Sequence, residues 1–308
     1  MVDYLTFADI TTEVQRAVKA TKGSIEGLIH HVINMVYLNE MLMADDLYPL
    51  YWMVDFDDSL ASVAPATISG ITIADPGVIT TAAAHGFVAG DIVSIYNIVG
   101  TTQLNNRMFK VGTTPLSTTL TLIDFDGIDA ISTAAMTAWS SGGTIHHRGL
   151  TLATTGKNVQ NIIACKWHNE SALDPIDITE IEALNSNTND STSRPSRYLH
   201  RKSFYTTSEF NQLIWFQGAD AAYDLRYWFE KRASKLTGTD VPLLPPQLQY
   251  GLVAGSVMRL SQSGVEVETP LVWPTVYKAQ LAALLTFNRK FYEKNDLYRI
   301  QNSVPYLL

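Results

Sequence analysis

The sequence predicts an α+β fold: a four-helix bundle drawn from both termini, an antiparallel β-sheet, and an inserted small all-β barrel or sandwich. Two observations carry this. Near both ends, apolar residues recur at spacings of three and four, the period of one helix face. Between them, residues 65–148 are rich in Thr, Ile, Val, Ala and Gly and poor in charge. Their short apolar runs alternate with turn signals, the texture of strands.

At the start, Thr6-Phe7-Ala8-Asp9 fits a capping box, and Phe7, Ile10, Val14 and Ala17/Val18 follow as one apolar face. Gly23 ends this helix and Ser24 caps a second, striped by Ile25, Leu28, Ile29, Val32, Ile33 and Val36. Pro49 blocks continuation, and the aromatic, β-branched run 50–56 reads as a strand. Strands are predicted next at 67–73, 77–82, 91–97, 107–111, 119–123 and 143–146, with Asp75-Pro76-Gly77 and Ala89-Gly90-Asp91 among the turns.

Past residue 149, strands are predicted at 159–167, 202–206, 211–217 and 222–231, a short helix at 178–184 and a mobile polar loop at 185–196. Tyr223, Leu225, Tyr227 and Phe229 alternate, implying one buried strand face. Pro246 suits a first helical turn before the stripe Tyr250, Val253, Val257 and Leu260, where Gly251, Ala254 and Gly255 permit close backbone approach. A last helix starts at Pro274 and carries Tyr277, Leu281, Leu284, Leu285, Phe291 and Tyr292, interrupted by Asn288. It ends at Asp296, leaving an extended tail, 297–308. The predicted organisation is a core of 1–64 plus 149–308, with 65–148 inserted.

Of 308 residues, 46% are hydrophobic and 17% charged. Such a chain buries a core, which excludes a wholly disordered protein, a coiled coil or a collagen-like repeat. The net charge of −8 argues against sequence-independent gripping of nucleic acid. One cysteine, Cys165, forbids an internal disulfide and a Cys-rich zinc site. The start reads as no signal peptide, and no apolar run reaches membrane-helix length.

The chemistry-bearing residues have plain structural readings. His30-His31 diverge by about 100° on a helix; Glu26 with His30 offers two ligands and no third. His146-His147 alternate across a strand. Asp55, Asp57 and Asp58 follow a strand and fit turn chemistry, as do Asp124, Asp126 and Asp129. Cys165 reads as a buried, inert thiol. No nucleophile elbow, phosphate loop or dinucleotide fingerprint occurs. The expectation is no catalytic residue, no metal and no cofactor. Arg194, Arg197, Arg201 and Lys202 form a basic cluster with His200 and Tyr198 interleaved, a candidate contact for DNA phosphates or an acidic partner. Leu297, Tyr298, Ile300, Val304, Tyr306, Leu307 and Leu308 leave the tail apolar without a period, so it gains by docking on its own domain or on a partner.

Residues 65–148 resemble a small β module of tail and neck proteins of tailed bacteriophages, related to a domain of ubiquitin-activating enzymes. The resemblance runs through Ile71-Thr72-Ile73-Ala74-Asp75-Pro76-Gly77, Ala84-His85-Gly86-Phe87, Gly90-Asp91-Ile92-Val93, Leu104-Asn105-Asn106-Arg107-Met108-Phe109 and Ser140-Ser141-Gly142-Gly143-Thr144. The flanks resemble phage head-to-tail adaptor (connector) proteins in the N-terminal helix pair, Ala172-Leu173-Asp174-Pro175-Ile176, Leu225-Arg226-Tyr227-Trp228-Phe229, Asp240-Val241-Pro242-Leu243-Leu244-Pro245 and the final helix with its tail. The resemblance implies a non-enzymatic virion protein of the neck, in the host cytoplasm during assembly. It implies a ring of twelve copies below the portal protein, through which DNA passes without specific binding and on which tail or neck components dock. The tail residues would bind the portal, and no membrane is involved. The alternative is a tail-tip or fibre protein binding a host carbohydrate on a platform of Trp139, Tyr96 and His85.

Overall fold

The computed structural model describes residues 4–19, 25–45, 50–125, 128–152, 157–168, 172–176, 193–202 and 211–294. The chain divides into two compact units, Met1–Asp55 with Glu230–Leu308, and Phe56–Phe229.

The first unit holds four helices among its described residues: α1 (Phe7–Ala17), α2 (Glu26–Met35), α3 (Tyr250–Gln262) and α4 (Trp273–Lys294). The capping box of α1 is present. Thr6 Oγ1 accepts from the Asp9 amide at 3.2 Å, and Asp9 Oδ2 accepts from the Thr6 amide at 2.9 Å. Ile10 and Val14 are buried as the stripe requires. Gly23 and Ser24 lie outside the described residues, and α2 starts without a side-chain cap. It runs on into a π-helical turn, Val36–Met41.

Helix α3 is buried almost all round, from Gly251 to Leu260. Helices α1, α2 and α4 each pack on it. Small residues make this closeness possible: a Cβ on Gly251 would lie 2.7 Å from the Met41 Cε, and one on Gly255 2.7 Å from the Tyr277 ring and from Val36. In a four-helix bundle each helix borders neighbours around a shared axis. Here α3 is itself the centre, a hub with three partners.

The run 50–56, expected as a strand, starts as a 3₁₀ turn, Tyr51–Met53. The Tyr51 amide donates to Asn288 Oδ1 at 3.0 Å, and its ring stacks on Phe291 at 3.8 Å. These bonds to α4 replace a ladder partner.

Twelve strands occur among the described residues: β1 (Val54–Ala61), β2 (Ala66–Ile71), β3 (Val78–Thr81), β4 (Asp91–Val99), β5 (Arg107–Val111), β6 (Thr119–Asp124), β7 (Ser141–Thr151), β8 (Val159–Trp167), β9 (Asp174–Pro175), β10 (Arg197–Lys202), β11 (Asn211–Phe216) and β12 (Asp224–Lys231). Strands β2-β3-β6-β5-β4-β7 form a six-stranded barrel, closed where Ala66 and Thr67 of β2 pair with Ile145 and Thr144 of β7. Closure removes the exposed edges that an open sheet of this size would leave. The interior is Ile68, Ile79, Val93, Ile95, Phe109, Val111, Leu120, Leu122 and Ile145.

Strand β7 does not stop at the barrel. Its last residues Gly149, Leu150 and Thr151 pair with Ile214, Leu213 and Gln212 of β11, and β10 and β9 follow. A register shift between β4 and β7 at Ile92/Val93 marks the handover, a bulge that re-aims the strand. Gly149 has φ +154°, and a Cβ there would stand 2.2 Å from the Leu213 carbonyl oxygen, so only glycine fits. The expected domain edge at 148/149 therefore falls inside a strand. The remaining sheet, β1-β12-β8, shares a core with β7, β10 and β11, built from Leu225, Tyr227, Phe229, Trp167, Tyr198, Leu213 and Trp215.

The expected α+β fold built on a four-helix bundle is thus overturned. The chain is mostly β, a closed barrel whose sheet continues into further strands, with three helices packed on a fourth. Periodicity reports that an element has a buried face, and it is silent on how many neighbours share that face.

Candidate functional site

The tail residues Leu297, Tyr298, Ile300, Val304, Tyr306, Leu307 and Leu308 lie outside the described residues, as do the expected helix at 178–184 and most of the polar loop. The basic cluster is described in part. Arg194 precedes β10 and is exposed; Arg197 opens the strand, and Lys202 is its last residue.

Side chains alternate along a strand, so Arg197, Leu199 and Arg201 share one face of β10, while Tyr198 belongs to the core on the other. On the arginine face, Leu199 and Ile214 of β11 are buried, with Met108, Phe125 and Ile176 packed against them half-covered. The Arg201 guanidinium sits 4.6 Å from the centre of the Phe125 ring, a cation–π arrangement, and its Nη1 donates to Gln212 Oε1 at 3.4 Å. Arg201 thus borders a small apolar patch. A planar cation over an aromatic ring beside aliphatic side chains is the composition of a protein contact surface, more than that of a phosphate groove, where the cations line up free of apolar company.

The other candidates separate. His30 Nε2 is 3.9 Å from Glu26 Oε1 on an exposed helix face. Asp55 pairs with Lys231 at 2.8 Å and Asp58 with Arg226 at 2.7 Å. Burial pushes the Asp57 carboxyl up, but the Ser59 hydroxyl and amide, the Lys157 ammonium and the Tyr227 hydroxyl outweigh it and hold it below the usual value. Three carboxylates with three different partners do not converge on a reacting atom. Cys165 is buried, and desolvation pushes its thiol far above the ordinary range.

His146 and His147 do alternate across β7, yet both are buried, because both faces of that strand are covered. His147 Nδ1 accepts from the Val63 amide at 2.8 Å, and Nε2 stands 3.5 Å from Asp91 Oδ1. This buried pair, with His85 stacked on Phe87 nearby, belongs to the barrel's packing. The carbohydrate platform fails on the same geometry. His85 is buried, Trp139 is half-buried with its indole N–H donated to the Gly142 carbonyl at 2.9 Å, and Tyr96 faces the outside of the barrel. Sequence reasoning passed over one residue, Arg148, which is buried; its signal was a lone arginine in a strand with no other Asp, Glu, Lys or Arg.

No protein-family model matches the chain, and no curated protein matches it either. Among the described residues, no group of three or more His, Cys, Asp or Glu is placed to hold a metal ion, and no helix is long and apolar enough to cross a membrane.

Proposed function

We propose that the protein is a head-to-tail adaptor of a tailed bacteriophage. In this reading about twelve copies form a ring on the portal, extend the DNA channel and offer the docking surface for the tail. It is a structural virion protein of the neck and catalyses no reaction. The helical bundle expected of such a core is absent, so the reading rests on surface and on local resemblance.

The observation that carries it is exposed apolar surface. Leu271 is 89% and Val272 51% exposed at consecutive positions before α4, and in the barrel unit Leu116 is 69% exposed. Adjacent large apolar side chains held in water mark surface meant to be covered. The patch bordered by Arg201 at Phe125 supports the same reading. Twelve copies at −8 each carry on the order of −100, a lumen that repels phosphate and lets DNA slide. Residues 297–308 supply the portal-binding segment, and the barrel faces the tail components.

The test is light scattering and negative-stain imaging of the protein alone and with its portal, using the full chain, a chain lacking 297–308, and Leu271→Asp/Val272→Asp. Portal-dependent rings that weaken in both variants support the proposal. Rings that survive truncation retain the adaptor and remove the tail's role. No association with portal, or a stable trimer, overturns the adaptor reading.

A further inference from the structure

The outer face of the barrel carries a cation that no carboxylate among the described residues neutralises. Arg148 lies in β7 at the register shift and is only 7% exposed. Its Nη1 donates to the Tyr96 hydroxyl at 3.1 Å, while its Nε has no hydrogen-bond partner. Among the described residues no carboxylate reaches it. Asp91, on the paired strand, is engaged by His147 and by the Val88 amide. Burial pushes the guanidinium below its ordinary value, with Tyr96 opposing.

The neighbours are polar as well. Tyr96 meets His146 edge-on at 5.4 Å. Ser94 pairs directly across from His146 and shares the face of Tyr96. Its hydroxyl is buried without a partner. Removing a guanidinium from water is costly, and one neutral hydroxyl offsets only a small part of that cost. A fork of five donors with one used, on the strand face that also carries an idle hydroxyl, can donate to two oxygens of one anion.

We infer that Arg148, with Ser94 and Tyr96, forms a binding site for a small oxyanion, of the size and charge of phosphate, sulfate or a carboxylate. The inference does not depend on the adaptor reading.

The experiment is thermal unfolding of the full chain with sodium phosphate, sulfate or acetate, each against sodium chloride at equal ionic strength. The expected result is a saturable rise of several degrees with at least one oxyanion, and its ranking distinguishes a tetrahedral anion from a carboxylate. Arg148→Met fills the same volume without charge. It is expected to lose the oxyanion response while melting in chloride no lower than the native protein, because a buried unpaired charge is replaced by a thioether. Ser94→Ala, which removes one donor, is expected to weaken the midpoint several-fold and serves if Arg148→Met does not fold. A native chain that responds to no oxyanion beyond chloride overturns the inference. So does an undiminished response in either variant.

Discussion

Helix α3 is central only because two of its residues lack side chains, and that can be tested by restoring a methyl group. At Gly255 a Cβ would stand 2.7 Å from both the Tyr277 ring and the Val36 Cγ1. Neither yields cheaply. The Tyr277 hydroxyl donates to Glu40 Oε2 at 2.9 Å, Glu40 is held by Arg259 at 2.8 Å, and Val36 is wholly buried. Overpacking of this kind costs about 2–3 kcal/mol, against roughly 1 kcal/mol gained in helix propensity by Gly→Ala. Gly255→Ala is therefore expected to destabilise the helical unit by about 1–2 kcal/mol. Gly251→Ala is the milder comparison in the same helix, since its nearest neighbour is the Met41 Cε, the end of a flexible chain, with the Gln280 Cβ next at 3.2 Å. There the propensity gain of roughly 1 kcal/mol offsets most of the crowding, so the smaller loss is expected. Urea unfolding followed by helical circular dichroism reads the difference; at a slope of about 2–3 kcal/mol per molar, the midpoints separate by roughly 0.5 M. Equal midpoints, or stabilisation by Gly255→Ala, would refute the hub.

Three further outcomes follow from single contacts. The Thr6 hydroxyl and amide hold the Asp9 carboxyl below its ordinary 3.8, so the cap's contribution is full above that value and is lost as pH falls through the lowered one. Thr6→Ala should cost about 1 kcal/mol at pH 7 and move the Asp9 titration part of the way back toward its ordinary value by NMR, since the residue-6 amide remains. Asn288 is buried, donating to Asp45 Oδ2 at 3.0 Å and accepting from the Tyr51 amide; Asn288→Ala should cost about 2–3 kcal/mol and reduce near-ultraviolet dichroism as the Tyr51–Phe291 stack loosens. Cys165 should resist a thiol reagent in the native protein at pH 8 and react stoichiometrically in denaturant; rapid native labelling would contradict its burial.

The legible parts were local. The capping box at Thr6, the stripe Ile10 and Val14, the alternation Leu225, Tyr227 and Phe229, and strand β5 rest on contacts a few residues apart, and residue types alone specify those. Misreading began where a neighbour distant in sequence took over. Tyr51 gives its amide to Asn288, so a strand-like run turns instead. The fate of Arg148 needed β4, because its burial depends on what lies across the sheet. The arginines of β10 were visible as a cluster, whereas their apolar company, Phe125, Met108 and Ile176, comes from three other segments.

The sequence by itself determined the helices of the first unit and most barrel strands, where charge is scarce, and that one cysteine stands alone. Tertiary structure alone decided that β7 serves two assemblies, that the barrel closes through β2, and that α3 is a hub. The physical reason is the range of the forces involved. Capping and periodicity act within one turn or one pleat, while closure, burial and the pairing of a charge depend on partners that only the folded chain brings within reach.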